Sequence, residues 1–227
     1  MKILMYFVLI GLTACSIQSQ DSGLTNDLAN GSARQSSGWT VGLDPAEIVD
    51  IEDRSGLERL VIGGGCFWCL EAVFELVPGV KAVESGYAGG TWLNPTYQDV
   101  TGGWTGHAEV VSLFFDPAET SLAWLFDLFF KIHDPTTPNR QGGDVGSQYR
   151  SIILYRGAEQ REAARLAIAR AATVFEKPVV TELTPLGDFW LAEDYHQNFF
   201  RLNPEYGYCR LVIVPKVGTA LDFMATE

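Results

Sequence analysis

The chain is short of basic residues: 16 Lys and Arg stand against 28 Asp and Glu in 227 residues, a formal charge of −12. A nucleic-acid binder needs a basic face against phosphate, so this balance speaks against that class. It speaks equally against adsorption to anionic lipid by surface charge. Cysteine is scarce too, and four residues are too few to build a disulfide scaffold. None is needed, because a chain of this length buries roughly 70% of its unfolded surface. The three histidines, His107, His133 and His196, lie far apart, and only Cys66 and Cys69 form a close thiol pair. A tetrahedral zinc set therefore lacks its second half. No apolar run reaches the ~20 residues that span a bilayer. What remains is ordinary for a globular protein: 47% hydrophobic, 12% aromatic and 19% charged.

The N-terminus reads as an address. Lys2 precedes the apolar run Ile3–Leu12, which ends in Thr13-Ala14-Cys15. A basic start, a short apolar core and small residues at its end describe a secretory signal. Leu12-Thr13-Ala14-Cys15 resembles the lipobox of bacterial lipoproteins, which implies cleavage before Cys15 and acylation of its sulfur. We therefore expect a signal peptide at 1–14, a lipidated Cys15 leading a flexible tether to residue 56, and one domain from 57 to 227. The tether is rich in Ser, Gln, Asn, Gly and Asp without hydrophobic period. The expected location is the cell envelope, lipid-anchored to the extracytoplasmic or periplasmic face of a bacterial membrane.

Within the domain, Leu57–Ile62 reads as a strand running into Gly63-Gly64-Gly65, and Cys66–Val77 as a helix ended by Pro78-Gly79. Val80–Tyr87, His107–Phe115 and Tyr149–Tyr155 read as strands, and Leu122–Ile132 and Ala158–Phe175 as helices. Val179–Leu183 suggests a further strand, Phe189–Arg201 a helix, and Arg210–Val214 a last strand. The order β-α-β-β-α-β over 57–155 predicts an α+β fold with a ferredoxin-like split β-α-β core. Its sheet should be mostly antiparallel, flanked by helices. The long irregular segments 88–106 and 133–148 are of the kind that carries function.

The chemical signal is Gly63-Gly64-Gly65-Cys66-Phe67-Trp68-Cys69. A glycine run after a strand permits a tight turn and close approach to backbone. Cys66 then stands at a helix N-terminus, where free amides and the helix dipole favour thiolate. As a dinucleotide fingerprint the run fails, since Trp68 stands where Gly is required. Cys66 and Cys69 as a CxxC pair would by themselves suggest a disulfide oxidoreductase.

Further motifs narrow the choice. Gly65-Cys66-Phe67-Trp68, Gly86-Tyr87-Ala88-Gly89-Gly90, Pro95-Thr96-Tyr97, Thr105-Gly106-His107-Ala108-Glu109, His133-Asp134-Pro135-Thr136, Gln141-Gly142-Gly143-Asp144 and Gln148-Tyr149-Arg150-Ser151 follow in order. Ala192-Glu193-Asp194-Tyr195-His196-Gln197 and Tyr208-Cys209 continue the series. Together they resemble the A-type peptide methionine sulfoxide reductases, over about residues 59–216. The resemblance implies that Cys66 is the nucleophile, left as a sulfenic acid. It implies that Phe67 and Trp68 wall the site for the substrate S-methyl group, where sulfur–aromatic contact is favourable.

By the same resemblance Glu109 is the acid that protonates the sulfoxide oxygen. Its strand neighbours of equal parity, Val111, Leu113 and Phe115, would raise its pKa if that face is inward. Tyr97 and Tyr149 correspond to phenols that bond the sulfoxide oxygen or nearby water, and Asp144 to the carboxylate that orients them. Cys209 matches a resolving cysteine, with Cys69 as the rival. Many members carry Gly at the Cys69 position and some have a further C-terminal Cys in a glycine-rich tail, where this chain instead continues Arg210-Leu211-Val212-Ile213-Val214-Pro215-Lys216, which reads as a strand.

The implied partners are methionine S-sulfoxide, free or in proteins, and a thioredoxin-like reductant, with no cofactor, metal or nucleic acid. We expect a monomer. Two other classes fit less of the sequence. A CxxC disulfide oxidoreductase leaves Glu109, Tyr97 and Asp144 without a role. A non-catalytic lipoprotein that binds peptides has no use for Cys66.

Overall fold

The structure, a computed structural model, describes residues 53–226. The expected signal peptide at 1–14, Cys15 and nearly all of the tether lie outside the described residues. The elements run β1 Glu58–Gly63, α1 Phe67–Phe74, β2 Val80–Ala88, α2 Tyr97–Thr101, β3 Ala108–Phe115 and α3 Leu122–Ile132. There follow β4 Arg140–Gln141, β5 Asp144–Val145, β6 Ile152–Tyr155, α4 Gly157–Val174, β7 Glu182–Pro185, β8 Phe189–Leu191, α5 Phe199–Leu202 and α6 Val214–Met224. Among them no helix is long and apolar enough to cross a membrane.

Six strands form one sheet in the order β7-β6-β1-β3-β2-β8, antiparallel except where β7 runs parallel to β6. The fold is thus α+β. β3 is central and buried along its whole length, as its nearly unbroken apolar sequence requires of a strand covered on both faces. Val111, Leu113 and Phe115 join Leu60, Ile62 and the side chains of α1 and α3 in the main core. On the other face Ala108 and Val110 meet Val61, Ile152 and Leu154 beneath Leu186 and Phe189. Helix α3 starts where the Ser121 hydroxyl accepts from the Trp124 amide at 3.3 Å. Helix α4 buries Ala164, Ala167 and Ala171, small side chains that let it lie close against α3.

Several expected elements are different. Arg210–Val214 is not a strand: Cys209–Ile213 is a π-helical turn that continues into α6. Ile213, Val217 and Ala220 are buried while Leu211 is 80% exposed, a helical period that the β-branched composition conceals. Pro215 has no amide to give to the carbonyl four residues back, and the wide turn before it accommodates that loss. Phe189–Arg201 is not one helix either. It divides into β8, a 3₁₀ turn at Asp194–His196 and the single turn of α5, interrupted by Asn198 at φ +54°. β8 can pair with β2 because Gly86 has no Cβ: one placed there would meet the Phe189 ring at 2.4 Å.

The strand expected at Tyr149 begins only at Ile152, and Tyr149 ends a 3₁₀ turn. The strand expected over Val179–Leu183 lies at Glu182–Pro185. The two long loops hold short regular pieces, α2 in one and the β4–β5 ladder in the other.

The loop from β2 to β3 closes on itself at Gly90, where an added Cβ would lie 2.3 Å from the His107 amide nitrogen and 2.5 Å from the Thr105 carbonyl oxygen. Backbone cannot yield there, so Gly90→Ala should cost more than about 2 kcal/mol in urea unfolding. Gly187→Ala, with no atom within 4 Å, should stay within about 0.5 kcal/mol of the parent. Equal losses at the two positions would contradict this packing.

Candidate active site

The glycine run turns β1 directly into α1. Gly63 lies against β3 so closely that a Cβ would sit 2.6 Å from the Glu109 carbonyl, and Gly65 takes φ +100° with the Gln141 side chain packed on it. Cys66 therefore becomes the N-cap of α1, at φ −59° and ψ 128°. From the neighbouring strand the Glu109 carboxylate accepts the Phe67 amide at 3.1 Å. A residue of β3 thus occupies one of the free donors of the first turn.

Glu109 is 1% exposed, and its burial pushes the carboxyl up to about 8, with the Phe67 amide opposing and Asp144 adding to the rise. The inward face expected from Val111, Leu113 and Phe115 is present. The expectation of a thiolate at Cys66 in the resting site is not. Cys66 is only 8% exposed, and burial, reinforced by Cys69 and Glu109, pushes its pKa well up. The Trp68 amide works the other way and loses. Cys69 goes down to about 7, first through its hydrogen bond with Cys66, with Lys216 and Tyr208 helping.

Tyr97 heads α2 behind a Thr96–Asp99 capping box, and its amide donates to Glu193 at 2.8 Å. Tyr149 is carried by its 3₁₀ turn, tied down by Arg150, which bonds the Ser147 and Gly106 carbonyls and the Glu182 carboxylate. Both phenols are half-buried, and burial raises both, with Glu109 the first of the charges that raise them further. Tyr97 reaches about 12. Asp144 accepts the Tyr208 hydroxyl at 2.7 Å, and the same hydroxyl lies 3.7 Å from the Cys69 sulfur. Cys66, Glu109, Tyr97, Tyr149, Asp144 and Cys69 are therefore one electrostatic neighbourhood.

Cys209 is fully buried at the start of the π turn, raised by burial and then by Cys69. Cys66, Cys69 and Cys209 are all free thiols in this state. The aromatic pair also lies at the site. Phe67 is 1% exposed against Tyr87 and His196. Trp68 stacks flat on Phe199, centroids 3.6 Å apart, and donates its indole N–H to His196 Nδ1 at 3.1 Å.

Sequence reasoning assigned no role to Tyr208, His196, Glu193 or Glu71. The first three stand inside quoted motifs, where their neighbours took the attention. Glu71 offered one signal, a carboxyl in the otherwise apolar run of α1. A cleft of about 1150 Å³ opens elsewhere, between α3, α4 and α6, and Cys66 does not line it. Among the described residues no group of three or more His, Cys, Asp or Glu is placed to hold a metal ion.

Comparison with known proteins gives one consistent result. The family model "Peptide methionine sulfoxide reductase" matches residues 58–225. The chain is 52% identical over 163 residues to a peptide methionine sulfoxide reductase MsrA of Trichodesmium erythraeum, covering 71% of this chain and 92% of that one. It is 55% identical over 161 residues to the MsrA of Sulfolobus acidocaldarius, covering 71% and 92%. Among solved structures, methionine sulfoxide reductase A of Corynebacterium diphtheriae superposes with TM-score 0.64 at 36% identity, over 70% of this chain and 81% of that one. Reduced Mxr1 of Saccharomyces cerevisiae gives 0.66 at 30% identity, over 69% and 91%.

The raised carboxyl has a consequence for stability. Unfolded, Glu109 titrates near 4.5, and folded near 8. Its contribution is full below the unfolded value and is lost as pH rises toward the folded one, by at most about 1.4 kcal/mol per pH unit. Glu71, raised to about 8 by burial and Glu75, acts with the same sign. In urea titrations, Glu109→Gln should gain stability relative to the parent as pH goes from about 5 to about 8. A constant difference over that range would contradict the burial argument.

Proposed function

The chain belongs to the peptide methionine sulfoxide reductase family, and from that premise we propose how its own residues reduce methionine S-sulfoxide, free or in proteins, to methionine. The observation that carries the reading is the buried, proton-retaining carboxyl of Glu109, bonded to the first amide of the helix that Cys66 caps. A sulfoxide oxygen leaves sulfur only when it is protonated, and a carboxyl near 8 still holds its proton at neutral pH. The substrate methyl group sits against Phe67 and Trp68, and Tyr97 and Tyr149 hold the oxygen. Asp144 orients this polar group, acting through Tyr208.

The Cys66 sulfur attacks the sulfoxide sulfur while Glu109 protonates the oxygen, and Glu109 regains a proton from the Cys66 thiol. The protonated oxygen then passes to the Cys66 sulfur as the substrate S–O bond and the transient S–S bond break, which releases the thioether. The balance is one thiol and one sulfoxide in, one sulfenic acid and one thioether out. A second thiol then attacks the sulfenic sulfur, forming a disulfide and releasing water. A thioredoxin-like dithiol reduces that disulfide, so no prosthetic group takes part.

Cys209 is our assignment for the second thiol. It lies buried at the start of the π turn, with Cys69 among the groups that raise its pKa. Cys69 is the alternative, favoured by its lowered pKa and its place one turn along α1.

Three wider statements belong to the same proposal. The central order β6-β1-β3-β2, with α1 and α3 between strands, fits a split β-α-β unit of ferredoxin-like type. Residues 1–14 act as a lipoprotein signal, residues 15–56 as a lipidated Cys15 and tether, and residues 57–227 as the reductase domain. The enzyme works as a monomer at the cell envelope. The run Ile3–Leu12 and Leu12-Thr13-Ala14-Cys15 support the anchor.

A single turnover without external reductant, run on separate S and R epimers, tests the chemistry. The S epimer alone should yield about one methionine per enzyme. Cysteine mapping should find Cys66 joined to Cys209, and Cys209→Ser should still give its one turnover but stall with thioredoxin. Sustained turnover by Cys209→Ser, with a Cys66–Cys69 disulfide, would transfer the role to Cys69. Yield from both epimers alike would overturn the pocket reading. For the anchor, labelled palmitate should enter the full chain and not Cys15→Ser, and equal labelling would refute it.

A further inference from the structure

Among the described residues, helix α1 carries one carboxyl that the reaction does not use and that is almost wholly enclosed. Glu71 is 1% exposed, amid Leu70, Ala72, Val73 and Phe74. A buried carboxyl is costly unless its lone pairs are taken up, and here three donors take them up. The Ser85 hydroxyl donates to Oε1 at 3.1 Å, the Asn198 amide to Oε1 at 2.9 Å and the Phe199 amide to Oε2 at 3.0 Å. Those two consecutive amides belong to the segment where the 3₁₀ turn at Asp194–His196 gives way to the single turn of α5, pivoting on Asn198 in the left-handed region. Gln197 sews the same segment to β2, accepting the Ser85 amide at 3.0 Å and donating to the Ser85 and Ala192 carbonyls.

What the segment carries matters more than its fold. On one side of Asn198 stands His196, which accepts the Trp68 indole N–H and lies 4.9 Å from the Phe67 ring centre. On the other stands Phe199, stacked 3.6 Å from Trp68 at 5°. Trp68 is itself three residues before Glu71 on α1. We propose that Glu71 is a positioning residue that fixes the aromatic wall of the substrate pocket. By gripping the Asn198 and Phe199 amides it holds His196 and Phe199 against Trp68, and so sets the width of the slot for the substrate's S-alkyl group. The inference rests on the reading of Phe67 and Trp68 as the methyl site.

Geometry gives Glu71 two oxygens for this grip, and no other side chain would serve equally. Glutamine keeps the length and one acceptor but turns an NH₂ toward one of the two amides, so one of them loses its acceptor. The wall should then loosen without the core being emptied.

The test compares S-epimer methionine sulfoxide with S-epimer ethionine sulfoxide, which differ by one CH₂ on the group that enters the slot. For Glu71→Gln we expect KM for the methyl substrate to rise about tenfold, as a buried amide left without its acceptor permits. The saturated single-turnover rate should stay within about threefold, and the methyl-over-ethyl preference in kcat/KM should fall about fivefold or more. Glu75→Gln, which disturbs the neighbouring pair with Arg201, controls for general loosening of the region and should leave that preference unchanged.

Trp68→Phe separates the two levels of the argument. If it leaves the preference intact, the methyl-site reading itself fails. If Trp68→Phe lowers the preference while folded Glu71→Gln keeps it, or if Glu75→Gln lowers it equally, the role given to Glu71 is overturned. Should Glu71→Gln not fold, Asn198→Gly provides the second variant. It keeps the amides but frees the pivot, and it must show the same loss of preference.

Discussion

The hydrogen bond from the Phe67 amide to the Glu109 carboxylate joins the two halves of this site, and much else follows from it. It ties the first turn of α1 to the central strand β3 and fixes where Cys66 caps the helix. It also obliges a carboxyl to lie under a packed core, where its charged form is disfavoured. One amide offsets part of that cost and leaves the rest as a proton held near 8. The same burial reaches Cys66, so the resting site is a pair of protonated groups. Attack and protonation are thereby linked, since neither group is charged until the substrate oxygen accepts a proton.

Around this pair the architecture supplies backbone rather than cofactor. The glycines of the β1–α1 turn bring Cys66 up against β3, and Arg150 and His107 brace the loops that carry Tyr97 and Tyr149. His107 accepts the Gly90 amide through Nδ1 and meets the Trp92 carbonyl through Nε2. His133 does similar work beneath Gly64, bonded to the Phe129 carbonyl and the Ser151 hydroxyl and held neutral by burial, down to about 4. Both ring nitrogens of His107 and of His133 are thus engaged in bracing backbone and loops.

Much of this was legible in the sequence because it is local. The glycine run, the helix after Cys66 and the apolar strand with Glu109 are read from neighbours within a few residues. The order of the first elements came through for the same reason. What was hidden depends on distant partners. Arg210–Val214 has the composition of a strand, and only Pro215 and the burial of Ile213, Val217 and Ala220 decide for a helix. Phe189–Leu191 became a strand because Gly86, about a hundred residues earlier, leaves room for it. The thiolate expected at Cys66 followed from its helix position and ignored the enclosure that outweighs it. Glu71 stood out only as one charge in an apolar run, and its partners at 198–199 are remote in sequence.

The central claim is that the Glu109 carboxyl supplies the proton. The direct measurement is methionine release in a single turnover, by rapid quench from about pH 6 to about pH 10, for the parent and Glu109→Gln. The account predicts a rate that falls in the parent as pH rises through about 8, where Glu109 loses its proton. Glu109→Gln should be slower at neutral pH by about a hundredfold or more, with that descending limb gone. A full rate in Glu109→Gln, or the same descending limb in both proteins, would contradict it.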